Sequence, residues 1–289
     1  MLAPIEIHAP RSISEASALL RQYGDDAAVY AGGTELLIVM KERLTAVNRL
    51  IDIKKIDGLR EIGVDDDGAL TIGALATHRE IARHPLVQEH APHFAALEGI
   101  IANTRVRAAG TIGGNLCFAE PHSDPATLLA AVDATVTLES AEGRRETPVD
   151  TFFLGLLDTD RRPDEIMTSV TLPKLWETTG ISYQRFKTHE RPVATVGAAV
   201  SVANGVIDDS RVFIGSVGPK PQRMTSVEDA IRGQEPGLVL FQQAGLLAAG
   251  EADIDEEGFE SAEYKRHLVA VYVQKALHDA AEQAKARRS

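Results

Sequence analysis

The chain has 289 residues, 44% of them hydrophobic and 25% charged, and a formal net charge of -12. That balance suits a globular protein of one large or two smaller domains, and the acidity without a long basic run excludes a phosphate-tracking nucleic-acid surface. No apolar stretch approaches the roughly 20 residues that span a bilayer. The one cysteine, Cys117, excludes an internal disulfide and any cysteine-based zinc or iron–sulfur site. Nine scattered histidines, with no His-Glu-x-x-His, leave no metal-ligand pattern. Met1 to His8 lacks a charged region followed by an apolar core, so a cytoplasmic location is expected. The basic run Lys285-Ala-Arg287-Arg288 reads as a frayed, solvated terminus.

In chain order, Ser12-x-x-Glu15 reads as a capping box opening a helix, with Ile13, Ala16, Leu19 and Leu20 on one face and Gly24 at its end. Ala28 to Ala31 predicts a short strand running into Gly32-Gly33. Leu36 to Leu44 has helical character, and Leu50 to Ile53 predicts a second strand. A hairpin is expected from Leu59 to Ile72 around Asp65-Asp66-Asp67-Gly68, where the acidic run serves as the turn. Thr77-x-x-Glu80 is a further capping box, with helix expected onward through Leu97. Glu98 to Pro125 is rich in glycine and alanine yet interleaved with Ile100, Ile101, Val106, Ile112, Leu116 and Phe118, which predicts a packed loop over a ligand. Asp124 is expected to cap a helix with Pro125 first in it. Strands are predicted at Thr135–Glu139 and around Val149, then at Ser182–Lys187, Val196–Val202 and Ser210–Gly215, with a hairpin at Asn204-Gly205. Helices from about Ser226, Pro236 and Glu260 close the chain. The expected fold is α+β.

Two segments carry chemistry. Tyr30-Ala-Gly-Gly-Thr-Glu-Leu36 follows a strand and precedes a helix, and consecutive glycines can turn several N–H groups on one anion. Thr111-Ile-Gly-Gly-Asn-Leu116 repeats that composition. Neither is Gly-x-Gly-x-x-Gly or Gly-x-x-x-x-Gly-Lys, and neither contains Lys or Arg, so the dinucleotide they suit is held by neutral donors. A tight strand-to-helix turn is the competing reading of the first motif taken alone. His122-Ser123-Asp124 has the residue types of a hydrolase triad, but sequence neighbours rarely converge as one. Cys117 among apolar neighbours reads as a small core residue.

Taken together, Ala31-Gly-Gly-Thr-Glu-Leu-Leu37, Thr111-Ile-Gly-Gly-Asn-Leu116, Ala119-x-Pro-x-x-Asp124, and Phe186-Lys187 with Arg191 resemble the FAD-binding (medium) subunit of the molybdenum hydroxylases. That group includes the xanthine dehydrogenase and carbon monoxide dehydrogenase types. The resemblance covers about residues 3 to 284. It implies a two-subdomain FAD-binding domain of the vanillyl-alcohol-oxidase-like type at 1–172, divided near 55, followed by a smaller α/β C-terminal domain at 180–289. It implies that Ala31, Gly32, Gly33, Thr34 and Glu35, with Leu36, wrap the FAD pyrophosphate from one side, and Thr111, Gly114 and Asn115 from the other. Ala119 and Asp124 would follow the ribityl chain, Ile166 and Met167 the adenine or ring wall, and Lys187 the isoalloxazine. The sequence departs from the family where Glu120 replaces a common serine. Pro192 to Val196 also lacks the acidic pair of NAD-using members.

The resemblance further implies that FAD here passes electrons from [2Fe–2S] clusters to an external acceptor. One cysteine cannot ligate such a cluster, so an iron–sulfur small subunit and a large subunit with a molybdopterin-type molybdenum cofactor are expected as partners, in a dimer of heterotrimers. Two alternatives stand beside this: a self-contained flavin oxidase of the vanillyl-alcohol-oxidase-like group, and a nucleotide-binding scaffold without redox turnover.

Overall fold

The computed structural model describes residues 4–175, 178–256 and 260–287. Met1 to Ala3 and Arg288, both included in readings above, lie outside that range. The chain forms two compact units. One comprises residues up to Phe118 with Thr135–Phe152 and Leu157–Thr171; the other comprises Ala119–Ala134, Phe153–Leu156 and the chain from Leu172 on.

The first unit opens with a three-stranded parallel sheet. Its strands are β1 (Glu6–His8), β2 (Ala27–Tyr30) and β3 (Arg49–Asp52), in the order β1-β3-β2. Parallel neighbours need crossovers, supplied by helices α1 (Ile13–Tyr23) and α2 (Leu36–Lys41). Ser12 caps α1 by accepting from Glu15 N, and Gly24 ends it at φ +51°. Glu15 reaches back to Arg11 N rather than to the cap, so only half of the expected capping box forms. The buried face of α1, Ala16 and Leu20, packs with Ile51, Ile53, Ile56, Leu59, Leu75 and Ile166.

A second sheet follows, in the order β4-β5-β10-β6-β7. Strands β4 (Ile62–Val64) and β5 (Leu70–Gly73) form the expected hairpin. Its turn is organised by Asp65 Oδ1, which accepts from Asp67 N and Ala69 N, so the acidic run is a turn device. Between β5 and the rest lie α3 (His78–Arg83), α4 (Pro85–His90), α5 (Pro92–Glu98), α6 (Thr104–Ala109) and α7 (Ile112–Phe118). The last two correct the loop expected over Glu98 to Pro125. Asn103 caps α6 by accepting from Arg105 N and Val106 N, and Gly110 separates the two helices. The chain then leaves this unit for α8 (Asp124–Ala131) and returns through β6 (Thr135–Ser140) and β7 (Gly143–Pro148). Val149, expected in a strand, instead begins the single-turn helix α9 (Val149–Phe152). Short strands β8 (Phe153–Gly155) and β9 (Asp158–Thr159) precede β10 (Ile166–Leu172).

The second unit is built on the antiparallel meander β11 (Thr179–Lys187), β12 (Pro192–Ala203), β13 (Val206–Gly215) and β14 (Gln222–Arg223). Asn204 and Gly205 both have positive φ, as the tight hairpin turn demands. Helices α10 (Thr225–Ile231), α11 (Leu238–Glu251) and α12 (Ala262–Ala286) complete it. Small residues let backbones meet. A Cβ on Gly180 would land on the Ala280 carbonyl of α12, one on Gly197 would stand 2.8 Å from the Thr127 carbonyl of α8, and one on Gly245 would strike Ala270 O. Arg287, expected to be frayed, donates to the Thr179 carbonyl at 2.9 Å. Among the described residues no helix is long and apolar enough to cross a membrane.

Gly180→Val should lower the unfolding free energy by about 3 kcal/mol or more, because the overlap is with backbone that cannot rotate away. Calorimetry of the variant checks this; an unchanged melting temperature would mean that β11 and α12 do not meet as described.

Candidate functional site

The first glycine motif forms the link from β2 to α2. Gly33 has φ +71°, and a Cβ there would lie 2.5 Å from the Tyr30 ring, so the position demands glycine twice over. Gly32 meets the other motif directly: a Cβ on it would collide with the Ala109 carbonyl and stand 2.9 Å from Gly110 Cα. Gly110 in turn faces Thr34, whose Oγ1 lies 3.2 Å from where a Gly110 Cβ would be. Segments some eighty residues apart in sequence are thereby brought into backbone contact.

The two loops differ in what they offer. Leu37 N donates to Gly33 O and starts the helix. Among the described residues, the N–H groups of Gly32, Gly33, Thr34 and Leu36 have no protein acceptor, and all four residues are only half-buried. That is a row of free donors. In the second loop four successive N–H groups are engaged: Ile112 with Ala76 O, Gly113 with Ala74 O, Gly114 with Thr111 Oγ1 and Asn115 with Thr111 O. The expectation that both glycine pairs donate alike is therefore corrected. Gly113 is glycine because a Cβ would sit 2.5 Å from Ala74 Cβ, and at the exposed Gly114 a Cβ would stand 2.9 Å from Thr111 Oγ1. Thr111, having accepted from Gly114, keeps its hydroxyl proton to donate, and the half-buried Asn115 adds an amide.

Packing beneath the loops holds this arrangement. A bulge at Thr168 in β10 lets its carbonyl accept from Ala74 N, and Ala74 O accepts from Gly113 N. His78, at the start of α3, donates its N–H to Gly110 O, and its ring lies against Gly110. Its Nδ1 is 2.6 Å from Glu98 Oε2, with the two side chains 3% and 0% exposed. A fully buried pair of this kind is costly to break, because either partner alone would be left polar in an apolar setting.

The remaining expected residues divide between the units. Ile166 and Met167 belong to the first and are buried in β10, with the Ile166 side chain in the core under α1. What Ile166 can present is main chain. Ala119, Asp124 and Lys187 belong to the second unit. Ala119 is buried with φ +51°, a strained backbone for a residue with a Cβ. Lys187 stands exposed at the end of β11, beyond a register shift after Phe186.

Asp124 is corrected as a cap. Ser123 holds the cap position without a side-chain cap bond, and the Asp124 carboxylate turns to accept from Tyr183 Oη at 2.7 Å and Arg185 at 3.2 Å. Burial and the neighbouring Asp124 charge push the Tyr183 phenol well above its usual range, so it stays a proton donor. His122, Ser123 and Asp124 make no triad. His122 Nδ1 lies 3.0 Å from Glu120, which also pairs with Arg191 at 2.7 Å. Burial raises the Glu120 carboxyl, but its bonds with His122 and the Arg191 charge outweigh that and hold it below the usual range. Burial pushes the Cys117 thiol up, against a smaller opposing effect of Arg161. The described residues contain no cluster of metal-ligating side chains. Sequence reasoning missed Gly110, the His78–Glu98 pair, Tyr183 and Arg185; only the Gly110 break after Ala108-Ala109 left a local trace.

Comparison with known proteins shows the family to which the chain belongs. Residues 3–175 match the model of the FAD binding domain in molybdopterin dehydrogenase, and residues 181–280 that of the CO dehydrogenase flavoprotein C-terminal domain. The carbon monoxide dehydrogenase medium chain of Hydrogenophaga pseudoflava is 34% identical over 97% of this chain and 98% of its own. The nicotine 6-hydroxylase medium subunit of Paenarthrobacter nicotinovorans is 30% identical over 96% and 98%. A solved carbon monoxide dehydrogenase from Hydrogenophaga pseudoflava, lacking the Mo-pyranopterin moiety of its molybdenum cofactor, superimposes with a TM-score of 0.94. That match is 32% identical over 98% of this chain and 99% of the other.

Because the folded Glu120 pKa lies below its ordinary value, the stability it contributes is present above about pH 4.5 and lost as pH falls through the lowered value. Glu120→Gln should therefore reduce stability at neutral pH and flatten the acid limb of the profile. Denaturant titrations from pH 7 down to 3 read this out; parallel profiles for both proteins would contradict it.

Proposed function

The chain belongs to the FAD-binding medium subunits of the molybdenum hydroxylases, and on that footing we propose that it carries FAD between an iron–sulfur subunit and an external electron acceptor. It is an oxidoreductase subunit. The observation that carries the cofactor assignment is the row of free N–H donors at Gly32, Gly33, Thr34 and Leu36, held against a second loop from which Cβ atoms are missing. Such a row suits a pyrophosphate, whose oxygens accept from several amides at once.

The first loop, with Ala31 and Glu35 in its path, binds one side of the pyrophosphate through neutral donors. Thr111 and Asn115 add a hydroxyl and an amide, and Gly114 leaves room for the approach. Ile166 and Met167 contribute buried backbone toward the ring wall. The roles of Ala119, Asp124 and Lys187 are proposed residue by residue, on the family resemblance alone. The FAD-binding region is taken as 1–172, of the vanillyl-alcohol-oxidase-like type, with a C-terminal domain at 180–289; the limits of the two family-model matches support that division.

Bound FAD supplies two-electron storage with one-electron exchange. The chain itself binds and orients the cofactor, and its single thiol leaves iron–sulfur ligation to another subunit. The partners are therefore an iron–sulfur small subunit and a molybdopterin-bearing large subunit, in a dimer of heterotrimers in the cytoplasm. The medium-chain and medium-subunit names of the relatives support a multi-subunit setting. The substrate binds on a different chain.

Purified chain supplied with FAD should show bound-flavin absorption bands that survive desalting. Gly114→Leu should reduce retained flavin by about tenfold or more, with a fall of a few degrees in the melting temperature of the flavin-free protein, because its Cβ would stand 2.9 Å from Thr111 Oγ1. Wild-type protein that retains no flavin would overturn the proposal, and full retention by the variant would overturn the place given to Gly114.

A further inference from the structure

Lys54 belongs to neither glycine motif, yet its ammonium gathers at the start of the first loop. Nζ donates to the Ala31 carbonyl at 3.3 Å, lies 2.9 Å from Asp52 Oδ1 and stands 3.7 Å from the centre of the Tyr30 ring. Parallel pairing explains the meeting. Tyr30 is opposite Asp52 in the β2–β3 register, so a side chain two residues past Asp52 reaches the first residues past Tyr30.

The Ala31–Gly32 peptide is planar, and its C=O and N–H point to opposite sides. A donor on the Ala31 oxygen therefore fixes the direction of the Gly32 N–H, which is one of the free donors. A cationic donor also polarises the peptide and strengthens that N–H toward an acceptor on the far side. The Tyr30 ring beneath the ammonium is the ring that occupies the space a Gly33 Cβ would need. One side chain thus bears on two consecutive members of the donor row.

We propose that Lys54 is a positioning residue of the FAD cradle, turning and polarising the Ala31–Gly32 peptide so that its N–H meets the pyrophosphate. It acts from the carbonyl side and does not touch the phosphates. The ion pair with Asp52 alone would be a surface contact of little consequence; the bond to Ala31 O gives it a function. This inference rests on the FAD assignment made above.

The site is open to test because Lys54 is 45% exposed, while its partner Asp52 is 20% exposed. Asp52 Oδ1 keeps its bond from Lys54 N in any variant. The full chain is stripped of flavin, titrated with FAD, and examined by 31P NMR of the bound pyrophosphate. Lys54→Met should weaken FAD binding by roughly 3- to 10-fold and shift the bound phosphorus resonances toward those of free FAD. Lys54→Arg should restore both, and Lys55→Met, the same charge change one residue on, should alter neither. Melting temperatures of the flavin-free variants should match wild type. If Lys54→Met binds FAD with wild-type affinity and phosphorus shifts, the inference is wrong and the cradle assignment stands. If wild type binds no FAD, both are wrong.

Discussion

The arrangement depends on one close approach, the backbone of Gly32 against the backbone of Ala109 and Gly110. Nothing larger than hydrogen fits at Gly32, and Gly110 leaves little room opposite it, so the β2–α2 loop and the α6–α7 junction meet in one close-fitting register. Around that contact the support is layered. The buried His78–Glu98 pair braces Gly110 from behind. The Thr168 bulge holds Ala74, and Ala74 holds Gly113. Removing side chains at the contact costs conformational entropy, and the burial on both sides offsets it.

That geometry explains how an acidic chain can hold an anionic ligand. With a formal charge of -12, the protein carries no net positive charge to draw in phosphates. It relies on amides already aimed, whose orientation is settled during folding. The proposed cradle is asymmetric: one loop presents free N–H groups, while the other is tied down by its own and would contribute shape and side-chain donors. A resident cofactor suits such a site better than an exchanging nucleotide would. Burial holds the single Cys117 away from its thiolate form, and one thiol cannot ligate an iron–sulfur cluster.

Much of this was legible locally. The Thr77–Glu80 capping box, the Asn204-Gly205 hairpin and the Gly32-Gly33 turn are short-range patterns with a mechanical reason, and each forms where its residues stand. Other features depend on distant partners. Helices α6 and α7 are hidden by glycine and alanine content that also describes a loop. Val149 has strand-forming character yet turns into a helix at the end of β7. Asp124 is well placed to cap a helix, but Tyr183 and Arg185, distant in sequence, take its carboxylate. Lys54 could be linked to Ala31 only through the β2–β3 register, which no local pattern encodes.

Titration calorimetry of the flavin-free chain with FAD and with FMN is the most direct test of a pyrophosphate cradle. FMN carries the same isoalloxazine and ribityl phosphate but lacks the second phosphate and the adenosine. The account predicts FAD binding tighter than FMN by roughly 100-fold or more, since the free N–H row loses part of its acceptor. Equal affinity for the two flavins, or no heat with either, would contradict it.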